Sequence, residues 1–139
     1  MSRSVACIDI RDGKIFIAKR QNIGDMGGRW EFPGGKIDDG EDFEAAIKRE
    51  MNEEFGVDVE VFEKLCEVTF EHKEKLCYVD AFRVHFAEDG LSRRFTLTEH
   101  TDYKWENFSK IPALNFVDSD LKIYDKLKMT LKDTLKGAL

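Results

Sequence analysis

The sequence predicts an α+β sandwich in which a mixed β-sheet is covered by two helices. Hydrophobic periodicity runs in the order strand, strand, strand, helix, strand, strand, strand, helix, and the two helical stretches are separated by a long pair of β-rich runs. The chain of 139 residues is 42 % apolar and contains 11 Phe, enough to bury one core and too short for much besides one domain over residues 1–139. There is no internal repeat, low-complexity tract or linker.

The elements follow in order. Ser4 to Ile10 reads as a strand, Asp12-Gly13 as a two-residue turn, and Lys14 to Lys19 as the second arm of a hairpin. Gln21 to Arg29 holds three Gly without periodicity and is a loop. Trp30-Glu31-Phe32 is a short strand closed by Pro33-Gly34-Gly35, and Asp38 to Gly40 is a further turn. From Glu41 the period becomes helical: Phe43, Ile47 and Met51 step by four, and Gly56 stands where a C-terminal cap belongs. Val57 to Phe70 and Leu76 to Phe86 form an antiparallel pair around the polar residues Glu71 to Lys75. Glu88-Asp89-Gly90 turns the chain, Arg93 to Thr98 and Tyr103 to Trp105 are weaker strands, and Asp118 or Ser119 caps a closing helix. Leu121, Tyr124, Leu127, Leu131 and Leu135 share one face of that helix.

Composition excludes several functions. The net charge of −6 argues against a protein that binds duplex DNA or an anionic membrane through its overall field. No stretch approaches the roughly 18 consecutive apolar residues of a membrane span, and the N-terminus lacks a cleavage-site pattern, so a cytoplasmic location is expected. Cys7, Cys66 and Cys77 are odd in number and widely spaced, which predicts buried free thiols rather than a disulfide framework or zinc site. His72, His85 and His100 show no metal-ligand spacing among themselves.

The informative anomaly is the last turn of the first helix. Glu50, Glu53 and Glu54 stand at i, i+3 and i+4, so three carboxylates share one face at the end where the helix dipole is already negative. A solvated acidic face is one reading; a hard divalent cation, Mg²⁺ or Mn²⁺, is the other. The residues before the helix favour the second. Pro33-Gly34-Gly35 lets the backbone approach a ligand, Lys36 supplies a mobile cation, and Arg49 can orient Glu53 through its planar fork. Such a pocket suits phosphoanhydride hydrolysis, where cations neutralise phosphate oxygens and a carboxylate positions or deprotonates water. Arg20 and Arg29 are further candidates to meet phosphates, and Phe32, Phe16 and Phe82 could offer an aromatic face for stacking, although Phe in strands is usually core.

Gly35, Glu41, Arg49, Glu50, Met51, Glu53, Glu54, Gly56 and Val57 fill every fixed position of the Nudix box, Gly-x5-Glu-x7-Arg-Glu-apolar-x-Glu-Glu-x-Gly-apolar. At average residue frequencies a chance match anywhere in the chain is on the order of 10⁻⁷. The segment from Trp30 to Lys36 resembles the MutT-like branch of the Nudix hydrolases, which implies the family's α/β/α sandwich. It further implies Mg²⁺-dependent hydrolysis of nucleoside (deoxy)triphosphates, oxidised or non-standard ones among them, to monophosphate and pyrophosphate, with Mn²⁺ as a substitute metal. The resemblance makes Glu50, Glu53, Glu54 and the Gly34 carbonyl metal ligands, with Glu41 and Arg49 orienting them. Glu99 resembles an added carboxylate after the box, a ligand or base beside Glu50 and Glu53, and Asn115 resembles a base-reading amide, with Phe116 and Asp118 in the same loop.

Two other readings compete. One keeps the reaction and changes the substrate to a nucleotide sugar or dinucleoside polyphosphate. The other is a non-catalytic nucleotide sensor, disfavoured because such modules commonly lose a box glutamate and none is missing here. The expected partner is a nucleotide, with no stable nucleic-acid binding and no membrane, in a monomer or homodimer.

Overall fold

The computed structural model of the chain describes residues 2–87, 97 and 100–131. Its elements are β1 (Ser2–Ile8), β2 (Ile10–Arg11), β3 (Lys14–Arg20), β4 (Trp30–Glu31), β5 (Gly34–Lys36), α1 (Phe43–Phe55), β6 (Val59–His72), β7 (Lys75–Phe86), β8 (His100–Asn107), a 3₁₀ turn (Phe108–Ala113) and α2 (Asp118–Thr130). A mixed sheet has the order β5-β1-β7-β6, with β1 parallel to β7 and antiparallel to β5. In a second sheet β3 pairs antiparallel with β8 along one edge; at its two ends it pairs with β2 and β4.

Strand alternation divides the interior in two. Ala6, Ile8, Ile15 and Ile17 join Ile123, Tyr124 and Leu127 of α2, while Val5, Cys7, Phe16 and Ala18 join Ala46, Ile47, Met51 and Phe55 of α1. This is the expected sandwich. Complete burial of Ile47, Met51 and Phe55 stabilises the docking of α1 by about 1.5–3 kcal/mol for each side chain.

The expected strand from Ser4 to Ile10 is two strands in different sheets. Asp9, 2 % exposed, causes the break: its carboxylate accepts from Arg11 Nε (3.2 Å) and Nη2 (3.0 Å) and from the Phe86 amide (2.9 Å), fixing the chain where it changes sheet. The hairpin is therefore only the pairs Ile10–Ile15 and Arg11–Lys14, closed by Asp12 and Gly13 at φ 52° and 76°. The long hairpin is tighter than expected. β6 and β7 pair from Val59–Phe86 to His72–Lys75, leaving only Lys73 and Glu74, both at positive φ, as the turn. β8 is longer than the Tyr103–Trp105 reading because it pairs along all of β3.

The helix starts also differ. Asp42 caps α1 by accepting from the Ala45 amide (2.8 Å), so the helix begins after Glu41, and Gly56 ends it at φ 64°. Phe43 is 44 % exposed and stacks on Phe82 at 4.4 Å. Val117, not Asp118 or Ser119, is the N-cap of α2, and no side chain caps it; Asp118 binds Arg29 instead (3.1 Å). Of the three free thiols only Cys7 is fully buried; Cys66 and Cys77 are half-buried. The expected turn at 88–90, the strand at 93–98 apart from Leu97, Glu99 and Leu135 lie outside the described residues.

Candidate functional site

Two glycines set the distance between β5 and its neighbours. β5 pairs with β1 in the register Ala6–Gly34, Val5–Gly35 and Ser4–Lys36, and the Cys7 amide donates to the Pro33 carbonyl (2.7 Å). A Cβ on Gly34 would overlap the Val5 carbonyl. One on Gly35 would enter the Glu50 carboxylate, 2.5 and 2.6 Å from its oxygens. Neither glycine has a positive φ, so each is required by close approach and not by backbone conformation.

Arg49 organises the acidic face of α1. Its Nε and Nη2 donate to the two oxygens of Glu41 (2.6 and 2.9 Å), Nη2 also donates to the Lys36 carbonyl (3.1 Å), and Nη1 reaches Glu50 (3.0 Å) and Glu53 (3.3 Å). One guanidinium thus ties the loop after β5 to two helix carboxylates. The hydrogen bond from Arg49 holds the Glu41 carboxyl down at about 2, helped by the Asp38 amide. Glu54 is 3 % exposed and faces Cys7, whose thiol is pushed up by burial and by the Glu54 and Glu50 charges.

These groups open onto a cleft of about 520 Å³, walled on one side by Gly34, Gly35, Lys36, Glu50 and Glu54. Arg20 and Phe32 also line it, as the sequence suggested. Arg20 already bonds Glu31 (3.0 Å), whose second oxygen meets His100 Nε2 (2.8 Å). Phe32 is 3 % exposed and packs edge-on against Phe116 at 5.0 Å. Other candidates are not brought there. Phe16 and Phe82 are core, Arg29 pairs with Asp118, and Asn115 is exposed outside the lining, contributing its carbonyl to the Trp30 amide (2.8 Å).

The rest of the lining was missed from sequence. Glu31, Phe70, Val79, Ser119 and Asp120 belong to it, and Arg20 and Glu31 also border an adjoining hollow of about 400 Å³ with Phe70, Val117 and Asp120. Asp120 Oδ2 accepts from the Phe32 amide (2.9 Å). Burial and the nearby Glu31 charge push its carboxyl up to about 7. The only sequence signal was an acidic residue in the first turn of α2, which reads equally well as a dipole partner.

The donor set fits a hard divalent cation. Glu50 and Glu54 bring all-oxygen ligands to the same cleft as the Gly34–Gly35 backbone, at a helix end with no basic residue in its last turn. Glu53 is 57 % exposed and held toward Arg49, and among the described residues no three acidic, His or Cys side chains converge on one point.

Residues 1–127 match the NUDIX domain. The chain is similar to the 8-oxo-dGTP diphosphatase of Haemophilus influenzae, at 39 % identity over 118 residues that cover 83 % of this chain and 82 % of that one. It is also similar to the CTP pyrophosphohydrolase of Escherichia coli, at 37 % identity over 84 residues, 60 % of this chain and 62 % of that protein. It spans less than two thirds of the length of several curated relatives that it matches. Among solved structures it resembles the E. coli ORF135 protein, with TM-score 0.82, 28 % identity and coverage of 98 % of this chain and 94 % of that one.

Proposed function

The chain belongs to the NUDIX family, and on that premise we propose that it hydrolyses a nucleoside (deoxy)triphosphate to the monophosphate and pyrophosphate with Mg²⁺, oxidised or non-standard nucleotides included. The observation that carries this reading is the Gly35–Glu50 approach inside the Arg49 network. A glycine without positive φ, placed where any side chain would displace one carboxylate, has a physical reason when that carboxylate must stay at the cleft.

In this reading Glu50, Glu53, Glu54 and the Gly34 carbonyl hold the metal, and Glu99 is a further ligand or base. The bound metal supplies charge neutralisation of phosphate oxygens. Arg49 holds Glu50 and Glu53, and Glu41 fixes Arg49. Lys36 meets the phosphate chain; Arg20 and Arg29 do so after exchanging their present carboxylate partners. A water oxygen attacks phosphorus, the P–O–P bond breaks, pyrophosphate leaves with the bond's electron pair, and Glu50, Glu53 or Glu99 takes the water proton. The nucleoside lies toward the wall of Phe32, Phe70 and Asp120, where the cleft joins the second hollow.

The names of the similar proteins, diphosphatase on 8-oxo-dGTP and pyrophosphohydrolase on CTP, support the reaction class. Among the described residues no helix is long and apolar enough to cross a membrane. We place the protein in the cytoplasm as a single domain, a monomer or homodimer, acting on a free nucleotide. The test is product analysis by ³¹P NMR on a panel of canonical and oxidised (d)NTPs, nucleotide sugars and dinucleoside polyphosphates. Pyrophosphate and monophosphate from a triphosphate support the assignment; cleavage of only the sugar or dinucleoside compounds moves the substrate, and binding without turnover makes the protein a sensor.

A further inference from the structure

A separate cavity of about 570 Å³ begins where the cleft ends. Its walls are Ser2–Arg3 of β1, Lys36–Ile37 at the end of β5, and residues 74–76 at the tip of the β6–β7 hairpin. The two spaces are consecutive along one strand pair: Ser4 to Ala6 and Gly34 to Lys36 line the cleft, the residues just beyond line the cavity, and Lys36 belongs to both. The Ile37 amide bond to the Arg3 carbonyl (3.0 Å) and the Ser2–Cys77 register hold the walls together. At about 3.3 Å per residue, Ser2 is only ~10 Å along the strand from Val5, which faces Gly35.

The charge of this cavity opposes that of the chain. Arg3, Lys36 and Lys75 face the single carboxylate of Glu74, in a protein whose net charge is −6. Lys36 and Lys75 are exposed and make no ion pair among the described residues. Arg3 is held in place by Asp80 (3.1 Å) and by the Tyr78 ring, 5.3 Å from its guanidinium carbon, but Asp80 is shared with Lys64 (3.4 Å). Arg3, Lys36 and Lys75 meet the two carboxylates of Glu74 and Asp80, which leaves the recess one positive charge in excess and favours a further anion there.

We propose that this cavity is a second anion site that binds inorganic pyrophosphate, taking it from the cleft past Lys36. The source of the pyrophosphate rests on the hydrolase reading; the site itself does not. The test is isothermal titration of pyrophosphate into the full chain in EDTA at low salt, where metal-dependent binding in the cleft is absent. Wild type and Glu53→Gln are expected to bind pyrophosphate alike. Lys75→Glu weakens binding about tenfold and Lys75→Gln less, while circular dichroism stays unchanged because Lys75 is exposed at a hairpin tip. In turnover assays Lys75→Glu keeps the initial rate and loses part of the inhibition by added pyrophosphate. Absence of binding without metal, or equal binding by wild type and Lys75→Glu, overturns the site. Inorganic phosphate binding as tightly as pyrophosphate overturns its assignment to the product. Binding that behaves as expected in a protein that hydrolyses no nucleotide leaves the site standing and removes the hydrolase reading.

Discussion

Replacing Gly35 with alanine adds one methyl group directly against the Glu50 carboxylate. The backbone accepts the change, because Gly35 lacks a positive φ; the space does not, because the new Cβ would sit 2.5 and 2.6 Å from the Glu50 oxygens. Relief to an ordinary contact of ~3.5 Å requires the carboxylate to move by about 1 Å. Misplacement of a reacting group by that distance can cost about 10²-fold in rate, or ~2.7 kcal/mol of transition-state stabilisation. The cost in folding is smaller. The Glu50 side chain is 13 % exposed and can swing outward, so the low end of overpacking applies, ~1 kcal/mol or about 4 °C in Tm. The assay is kcat for pyrophosphate release beside a thermal melt. Gly40→Ala is the control: it has φ +81° in open space, so it loses about 1 kcal/mol of stability through its backbone and leaves turnover unchanged. Gly35→Ala turning over within twofold of wild type would refute the close-approach argument.

Further expectations are separable by experiment. Glu41→Gln lowers kcat about tenfold and, at neutral pH, lowers Tm modestly, because it frees Arg49 rather than opening the core. Since Arg49 depresses the Glu41 carboxyl from 4.5 to about 2, its contribution to stability is full above pH ~4.5 and lost as pH falls toward 2; melts of wild type and Glu41→Gln should converge there. Asp120 behaves oppositely. Its carboxyl is raised from 3.8 to about 7, so ionisation costs stability as pH rises through that window, and Asp120→Asn should flatten Tm against pH between 4 and 7. Phe16→Ala tests whether that ring is core: a loss of about 3–5 kcal/mol by denaturant unfolding is expected from a fully buried side chain packed on Phe55, Phe86 and Trp105. A stable variant with weakened nucleotide binding would instead return Phe16 to the base-stacking role.

Local signals explain what could be read directly from the chain. Gly56 and the four-residue step of Ile47 and Met51 act within one helix, so α1 and the nearness of Glu50 and Glu54 were legible, while the cap at Asp42 and the exposure of Glu53 were not. The Asp12-Gly13 turn was legible for the same reason. The switch of sheets at Asp9 was not, since it depends on Arg11 and on the Phe86 amide far along the chain. The wall formed by Glu31, Phe70 and Asp120 likewise comes from three distant segments, and no spacing rule joins them. Asn115 lies outside the cleft lining, with its carbonyl bonded to the Trp30 amide, and the bridge from Trp30 to Phe116 that sets this position joins segments far apart in the chain.

Turnover of a nucleoside triphosphate by wild type and Glu53→Gln, each with Mg²⁺ and with EDTA, is the most direct measurement. Metal-dependent release of pyrophosphate by wild type, abolished by EDTA and reduced by two or more orders of magnitude in Glu53→Gln, is the predicted result. Release that survives EDTA, or that Glu53→Gln leaves intact, would contradict the account that these glutamates hold the metal.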